Sequence, residues 1–197
     1  MLTTMHHLDK QYESFSHGLI VSKIWLCDEL EQIIVQENID NPKLNILACW
    51  DNLLSFMLLT RKPDVYKEIN AYDLDPIAIE SANKITDTWR FETTKINNHV
   101  KDINHIIYND ENTIYINCSI DQMTENTWYD NIPINSLICF QSTDVTVDDN
   151  RWHITQHISS LDEFTTKYKL SRLLYSGIKN INYGPWEYNR FMIIGYK

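Results

Sequence analysis

Leu44-Asn45-Ile46-Leu47-Ala48-Cys49-Trp50-Asp51 and Ile69-Asn70-Ala71-Tyr72-Asp73-Leu74-Asp75-Pro76 decide the fold. Each is a short apolar run that stops abruptly on polar residues. A helical pattern follows each one, Leu53 to Thr60 in the first case and Ile77 to Trp89 in the second. Strand, helix, strand, helix is the βαβ order of a parallel sheet. Asp73 and Asp75 fall just past the second strand. In a doubly wound sheet that end lines the ligand crevice, and a carboxylate there accepts both hydroxyls of a ribose. The first loop, Ala48 to Asn52, contains none of the glycines that usually let a nucleotide approach the backbone.

Working outward, Gln11 to Glu37 carries apolar residues at helical spacing, with Gly18 as an interruption or boundary. Asn41-Pro42 closes that segment. The first strand is expected over Leu44 to Cys49 and the second over Glu68 to Tyr72. Asp75-Pro76 is a helix start, with Asp at the cap and Pro in the first turn. Further strands are expected over Phe91 to Ile96, Thr113 to Cys118, Ser136 to Gln141, Leu170 to Ser176 and Arg190 to Tyr196. Ser160 and Glu163 form a capping box that opens a helix running to about Tyr168. No helical pattern separates the last two strands, so they should pair as an antiparallel hairpin around Gly184 and Pro185. The expected organisation is an N-terminal helical extension over residues 1–40 and one α/β domain over residues 41–197.

Composition narrows the classes. The apolar fraction of 43% suits a globular chain. No apolar run reaches the roughly 18–20 residues that span a bilayer, and the N-terminus has no apolar signal core, so a cytoplasmic protein is expected. A net charge of −10 argues against a broad hold on nucleic-acid phosphates. Cys27, Cys49, Cys118 and Cys139 are widely spaced, which reads as reduced core thiols rather than a metal site.

A mostly parallel sheet closing on such a hairpin resembles the class I S-adenosylmethionine-dependent methyltransferases, over about Leu44 to Lys197. Asp73 matches the acidic residue ending that family's second strand, and Asp73 to Ala82 is similar to its second strand and helix. Tyr115 to Met123 stands where the family's fourth motif closes the pocket, and Tyr188 to Lys197 resembles its final strand. The departure is Asn45 to Asn52, where the family's Gly-x-Gly is missing. The chain is also similar to small methyltransferase-like proteins of large tailed phages, which would place it in a host cytoplasm.

The resemblance implies an α/β, Rossmann-like fold. It has a seven-stranded, mostly parallel sheet, an antiparallel final strand and helices on both faces. S-adenosylmethionine is the implied cofactor, and methyl transfer to an unidentified acceptor the implied activity. Cofactor contacts would come from Ala48, Cys49, Trp50, Asp51, Asp73, Leu74 and Asn97. Asp73 would hold the ribose, Asp51 the ammonium, and Asn97 the adenine edge; Trp50 would stack on the ligand or plug the site. Asn117, Ser119 and Asp121 would meet the acceptor, with Asp121 as base. No Asn-Pro-Pro-Tyr-like or Asp-Pro-Pro-Tyr-like motif is present, which argues against an amino-methylating DNA enzyme, and the acidic net charge puts a small-molecule or protein acceptor ahead of nucleic acid. The glycine-free loop supports a different class of reading, a non-catalytic binding or scaffold protein on the same fold. His153 and His157, the acidic residues Asp144, Asp148 and Asp149, and the aromatic group Tyr183, Trp186 and Tyr188 are weaker candidates for metal, cation and stacking sites.

Overall fold

A computed structural model describes residues 15–88, 93–109, 112–146, 153–183 and 186–197. In chain order its main elements are α1 (His17–Gln36), β1 (Lys43–Leu47), α2 (Leu53–Arg61), β2 (Glu68–Asp73), α3 (Pro76–Thr88) and β3 (Lys95–Val100). They continue with β4 (Thr113–Asn117), α4 (Thr127–Asn131), β5 (Leu137–Thr143), α5 (Leu161–Lys167), β6 (Arg172–Tyr183) and β7 (Trp186–Tyr196). The strands form one seven-stranded sheet in the order β3-β2-β1-β4-β5-β7-β6. Pairings among β1 to β5 are parallel, and β7 runs antiparallel to both β5 and β6. The α/β fold expected from the sequence is therefore the fold observed.

Alternation along the central strands builds two cores. Leu44 and Ile46 of β1, Ile114 and Ile116 of β4, and Met192 and Ile194 of β7 face one side. They pack there with Leu26 and Leu30 of α1, Leu54 and Leu58 of α2, and Ile79 of α3. Leu47, Tyr115, Ile138, Phe140, Phe191 and Ile193 face the other side, against Trp128 of α4, Phe164 of α5 and Tyr168. Strands covered on both faces read as nearly continuous apolar runs, the pattern that made them visible.

Several expected boundaries move. β1 ends at Leu47 rather than Cys49, because Ala48 turns into the left-handed region with φ of 51°. β3 starts later than expected and runs on to Val100; residues 91 and 92 lie outside the described residues. β6 and β7 are both longer than the expected Leu170–Ser176 and Arg190–Tyr196. They pair from Arg172↔Tyr196 as far as Tyr183↔Trp186, so the hairpin extends well beyond its apolar stretch. Residues 11–14, Trp89, Gly184 and Pro185 lie outside the described residues.

Gly18 does not interrupt α1 but sits in its first turn. A Cβ there would lie 2.2 Å from the Tyr188 hydroxyl, so glycine lets α1 close against β7. The Ser160 cap is as expected, its Oγ accepting from the Glu163 N–H at 3.1 Å. All four cysteines are free thiols. Among the described residues, no helix is long and apolar enough to cross a membrane.

Candidate functional site

The carboxyl ends of β1, β2 and β4 open into a cavity of about 690 Å³. That volume falls within the range of roughly 300–1,000 Å³ typical of small-ligand sites. Ala48 to Asp51 after β1, Asp73 to Asp75 at the end of β2, and Lys101 to Asn104 after β3 form one end of it. Cys118, Ser119 and Asp121 after β4, Thr143 of β5, and Tyr188 and Arg190 of β7 form the other. The first turn of α1, with Lys23 one turn on, also lines it.

The first loop keeps a glycine-like path without glycine. Ala48, Trp50 and Asn52 have φ of 51°, 53° and 55°, all in the left-handed region. Non-glycine residues pay about 1 kcal/mol or more for each such position, so the surroundings must hold them. Asp73 is one such restraint, its Oδ2 accepting from the Trp50 N–H at 2.8 Å. Asn52 is another: its Oδ1 accepts from the Ser55 hydroxyl at 2.5 Å, and its Nδ2 donates to Asn98 at 2.8 Å. Asn98 in turn donates to Asn83 at 2.9 Å, which ties α2, β3 and α3 together below the loop.

Asp73 Oδ1 accepts from the Asp75 N–H at 3.0 Å, and Asp75 caps α3 by accepting from the Ile77 N–H at 2.9 Å. Burial pushes the Asp73 carboxyl above the usual carboxylate range, and the backbone N–H groups of Asp75 and Trp50 oppose that shift. Each carboxylate oxygen has two lone pairs, so Asp73 retains capacity for hydroxyl donors from the cavity. Asp51 is buried, with Oδ1 accepting from the Leu53 N–H at 3.3 Å. Leu74 is exposed at the mouth of the cavity.

Asn97 is a correction. β3 continues past it, so it lies in mid-strand, away from the cavity wall. Its Nδ2 donates to Glu68 and Asn70, each at 2.8 Å. The residues that occupy the expected place beyond β3 are Lys101 to Asn104.

Ser119 and Asp121 both line the cavity, whereas Asn117 ends β4 fully buried behind them. The Asn117 Oδ1 accepts from the Ser119 N–H at 2.9 Å and so shapes the turn. Ser119 Oγ donates to the Ala48 carbonyl at 3.3 Å, linking the β4 and β1 loops. Asp121 is 4% exposed, and burial raises its carboxyl above the usual range while Arg190 pulls it back. Arg190 Nη1 lies 3.8 Å from Asp121 Oδ1, and its Nη2 donates to the Cys118 carbonyl at 2.9 Å.

Besides the Lys101 to Asn104 segment, sequence reasoning missed the charged cavity residues Lys23 and Arg190. Both are charged residues set in apolar runs, Lys23 between Val21 and Trp25 and Arg190 before Phe191 to Ile194. That misfit was the available signal. The structure does not bring His153 and His157 together as a metal pair: His157 Nδ1 faces the Val145 carbonyl at 3.2 Å, while His153 lines the cavity. Among the described residues no group of three or more metal-ligating side chains forms. Asp144 binds the Asn189 backbone N–H at 2.8 Å and side-chain amide at 2.7 Å. Asp148, Asp149, and the side chains of Tyr183 and Trp186 lie outside the described residues. Tyr188 lines the cavity beside α1.

Solved structures share this architecture. Magnesium protoporphyrin IX methyltransferase from Synechocystis PCC 6803, with S-adenosylhomocysteine bound, superposes with a TM-score of 0.64 at 8% identity, over 90% of this chain and 84% of that one. The chain has the class I methyltransferase fold. The same fold likeness extends to a putative sarcosine dimethylglycine methyltransferase from Galdieria sulphuraria, with a TM-score of 0.64 at 8% identity over 90% and 86% of the two chains. It extends also to MccD protein, with a TM-score of 0.63 at 10% identity over 88% and 96%. No protein-family model and no curated protein sequence matches the chain. Within the class I methyltransferase fold, Asp73 ends the second strand and the glycine-free loop follows the first, as the sequence resemblance implies.

Proposed function

We propose that this chain is an S-adenosylmethionine-dependent methyltransferase of a small-molecule or protein acceptor in the cytoplasm. One observation carries the reading: an open cavity runs from Asp73 across the Ala48–Asp51 loop to Ser119 and Asp121. A scaffold whose ligand site had been lost would leave Trp50 filling that space, whereas Trp50 lines an open one.

The donor set fits the cofactor. Asp73 would take the ribose hydroxyls, because a carboxylate is a strong directional acceptor for both. Ala48 to Asp51 would lie along the amino-acid portion, with Asp51 toward the ammonium. Leu74 and the Lys101 to Asn104 segment would flank the base, in the role first assigned to Asn97. The bound cofactor supplies an electrophilic methyl carbon. Methyl transfer is an in-line displacement, so the work left to the protein is largely positioning. Asp121, its carboxyl held above the usual range by burial, is a base able to take a proton from the acceptor. Ser119 orients the acceptor, and Asn117 acts one step back by holding the Ser119 backbone.

Thermal unfolding with and without S-adenosylhomocysteine tests this. Ligand at a hundred times its Kd stabilises by roughly 2.7 kcal/mol, a rise on the order of 5–10 °C for a domain of this size. A rise of that size in the wild type, lost in Asp73→Ala, is the expected result. An unchanged transition at millimolar ligand would overturn the proposal.

A further inference from the structure

The far end of the cavity, beyond β4, holds buried charge that the fold leaves incompletely partnered. Arg190 is 5% exposed, and its Nε meets no hydrogen-bond partner. Asp121 Oδ1 also meets none, since its 3.8 Å approach to Arg190 is too long for a hydrogen bond. Lys23, half-buried on α1, lines the same cavity and makes no hydrogen bond or ion pair among the described residues. A buried donor or acceptor left unsatisfied is destabilising, and more so when charged. A guanidinium and a carboxylate left this way, with the Lys23 ammonium lining the same cavity, mark a place built for an occupant.

Sheet order separates this place from the expected cofactor end. Asp73 and Ala48 to Asp51 follow β2 and β1, whereas Arg190 sits on β7, opposite Thr143 of β5. Ser119 and Asp121, after β4, lie between the two ends. Asp51, at the near end, also acts on Lys23 through its charge. Burial lowers the Lys23 ammonium below its ordinary value, and the neighbouring Arg190 charge adds to that shift.

Resting on the methyltransferase reading above, we propose that the acceptor is a small amino- or hydroxy-carboxylic acid. Its carboxylate is held by Lys23 and the Arg190 guanidinium, and its protic N–H or O–H is directed at the Asp121 carboxylate. A carboxylate satisfies both cations through charge-assisted hydrogen bonds. The neighbouring N–H or O–H donates to the Asp121 carboxylate, which lines the cavity. An acceptor with no negative charge would leave Lys23 without an anion and Arg190 with Asp121 alone to balance it, a penalty that makes the site selective.

The test uses the full chain saturated with S-adenosylhomocysteine and titrated with salicylate, anthranilate and β-alanine, each beside its neutral amide. Thermal stability and calorimetry are the readouts. At least one acid should bind ten-fold or more tightly than its amide. Lys23→Met and Arg190→Lys should each abolish that preference while the affinity for S-adenosylhomocysteine stays within about two-fold. Lys23→Met keeps the test available if Arg190→Lys fails to fold. If S-adenosylhomocysteine binds but no acid outcompetes its amide, the inference fails and the methyltransferase reading stands. It fails equally if Lys23→Met weakens S-adenosylhomocysteine instead, since the cation then serves the cofactor. If S-adenosylhomocysteine does not bind at all, the underlying reading falls, and this inference falls with it.

Discussion

The backbone N–H of Trp50 donates to the side chain of Asp73 across the gap between two neighbouring strands, at 2.8 Å. One carboxylate thus has two jobs. It closes the loop after β1, and it presents acceptor capacity to the cavity. Asp73→Ala should therefore lose ligand affinity and also destabilise the chain by about 1–3 kcal/mol, because the N–H groups of Trp50 and Asp75 lose their partner. Asp73→Asn keeps one acceptor oxygen and should cost less stability while still weakening ligand binding. Urea unfolding and calorimetric titration with S-adenosylhomocysteine separate the two effects.

Ala48 sits at φ of 51°, where an alanine Cβ is strained and a glycine is not. Ala48→Gly should relieve that strain while adding freedom to the unfolded chain, for a net change between zero and about 1 kcal/mol in favour of the fold. A loss of more than about 1 kcal/mol on urea unfolding would show that the left-handed conformation there is not strained.

Gly18→Ala places a methyl group 2.2 Å from the Tyr188 hydroxyl and 3.1 Å from Ile181. The expected cost is about 1–3 kcal/mol. Tyr188→Phe removes the closest atom, so the double variant should recover a good part of the loss. A double-mutant cycle on the unfolding free energies gives the coupling. Independent, additive effects would mean that α1 shifts away from β7 instead of meeting it.

The pH dependence of stability should carry the mark of Lys23. Its ammonium is held below the ordinary lysine value by burial, so the folded pKa lies below the unfolded one. Between those two values the unfolded chain binds more protons, and stability rises with pH. At neutral pH the charged lysine therefore costs stability, and Lys23→Met should raise it by on the order of 1 kcal/mol. The advantage of the variant should shrink as the pH approaches that of free lysine. Unfolding of both proteins between pH 7 and pH 10 checks the trend, and a gap that widens with pH would contradict it.

The fold was legible because its central strands are buried on both faces. Runs such as Leu137 to Phe140 are apolar throughout, Leu44 to Leu47 is broken only by Asn45, and the helices between them keep their period. Edge and hairpin elements were less legible. Lys95 to Val100 contains two asparagines and a histidine, and its strand character comes from pairing with β2 rather than from its own pattern. Asn97 was misplaced for that reason. The glycine-free loop was the hardest to judge, because sequence reports residue type and the site depends on backbone angle. Trp50, Asn52 and Ala48, all in the left-handed region, are tied to Asp73, Asn98 and Ser119, partners that lie far away in the chain. Lys23 and Arg190 announced themselves only as charges out of place.

The position of β7 has a bearing on how the chain acquires its structure. It is the last strand in chain order, yet it stands inside the sheet, hydrogen-bonded to β5 on one side and β6 on the other. Its apolar residues supply both cores at once. During synthesis, β1 to β5 can pair as they emerge, but β5 keeps an open edge and both cores stay unfinished until residue 196 is available. The nascent chain would then present a long unpaired strand edge, the kind of surface on which aggregation starts. Folding of this sheet is therefore completed when β7 docks, and shielding of the β5 edge until that moment becomes part of what expression requires.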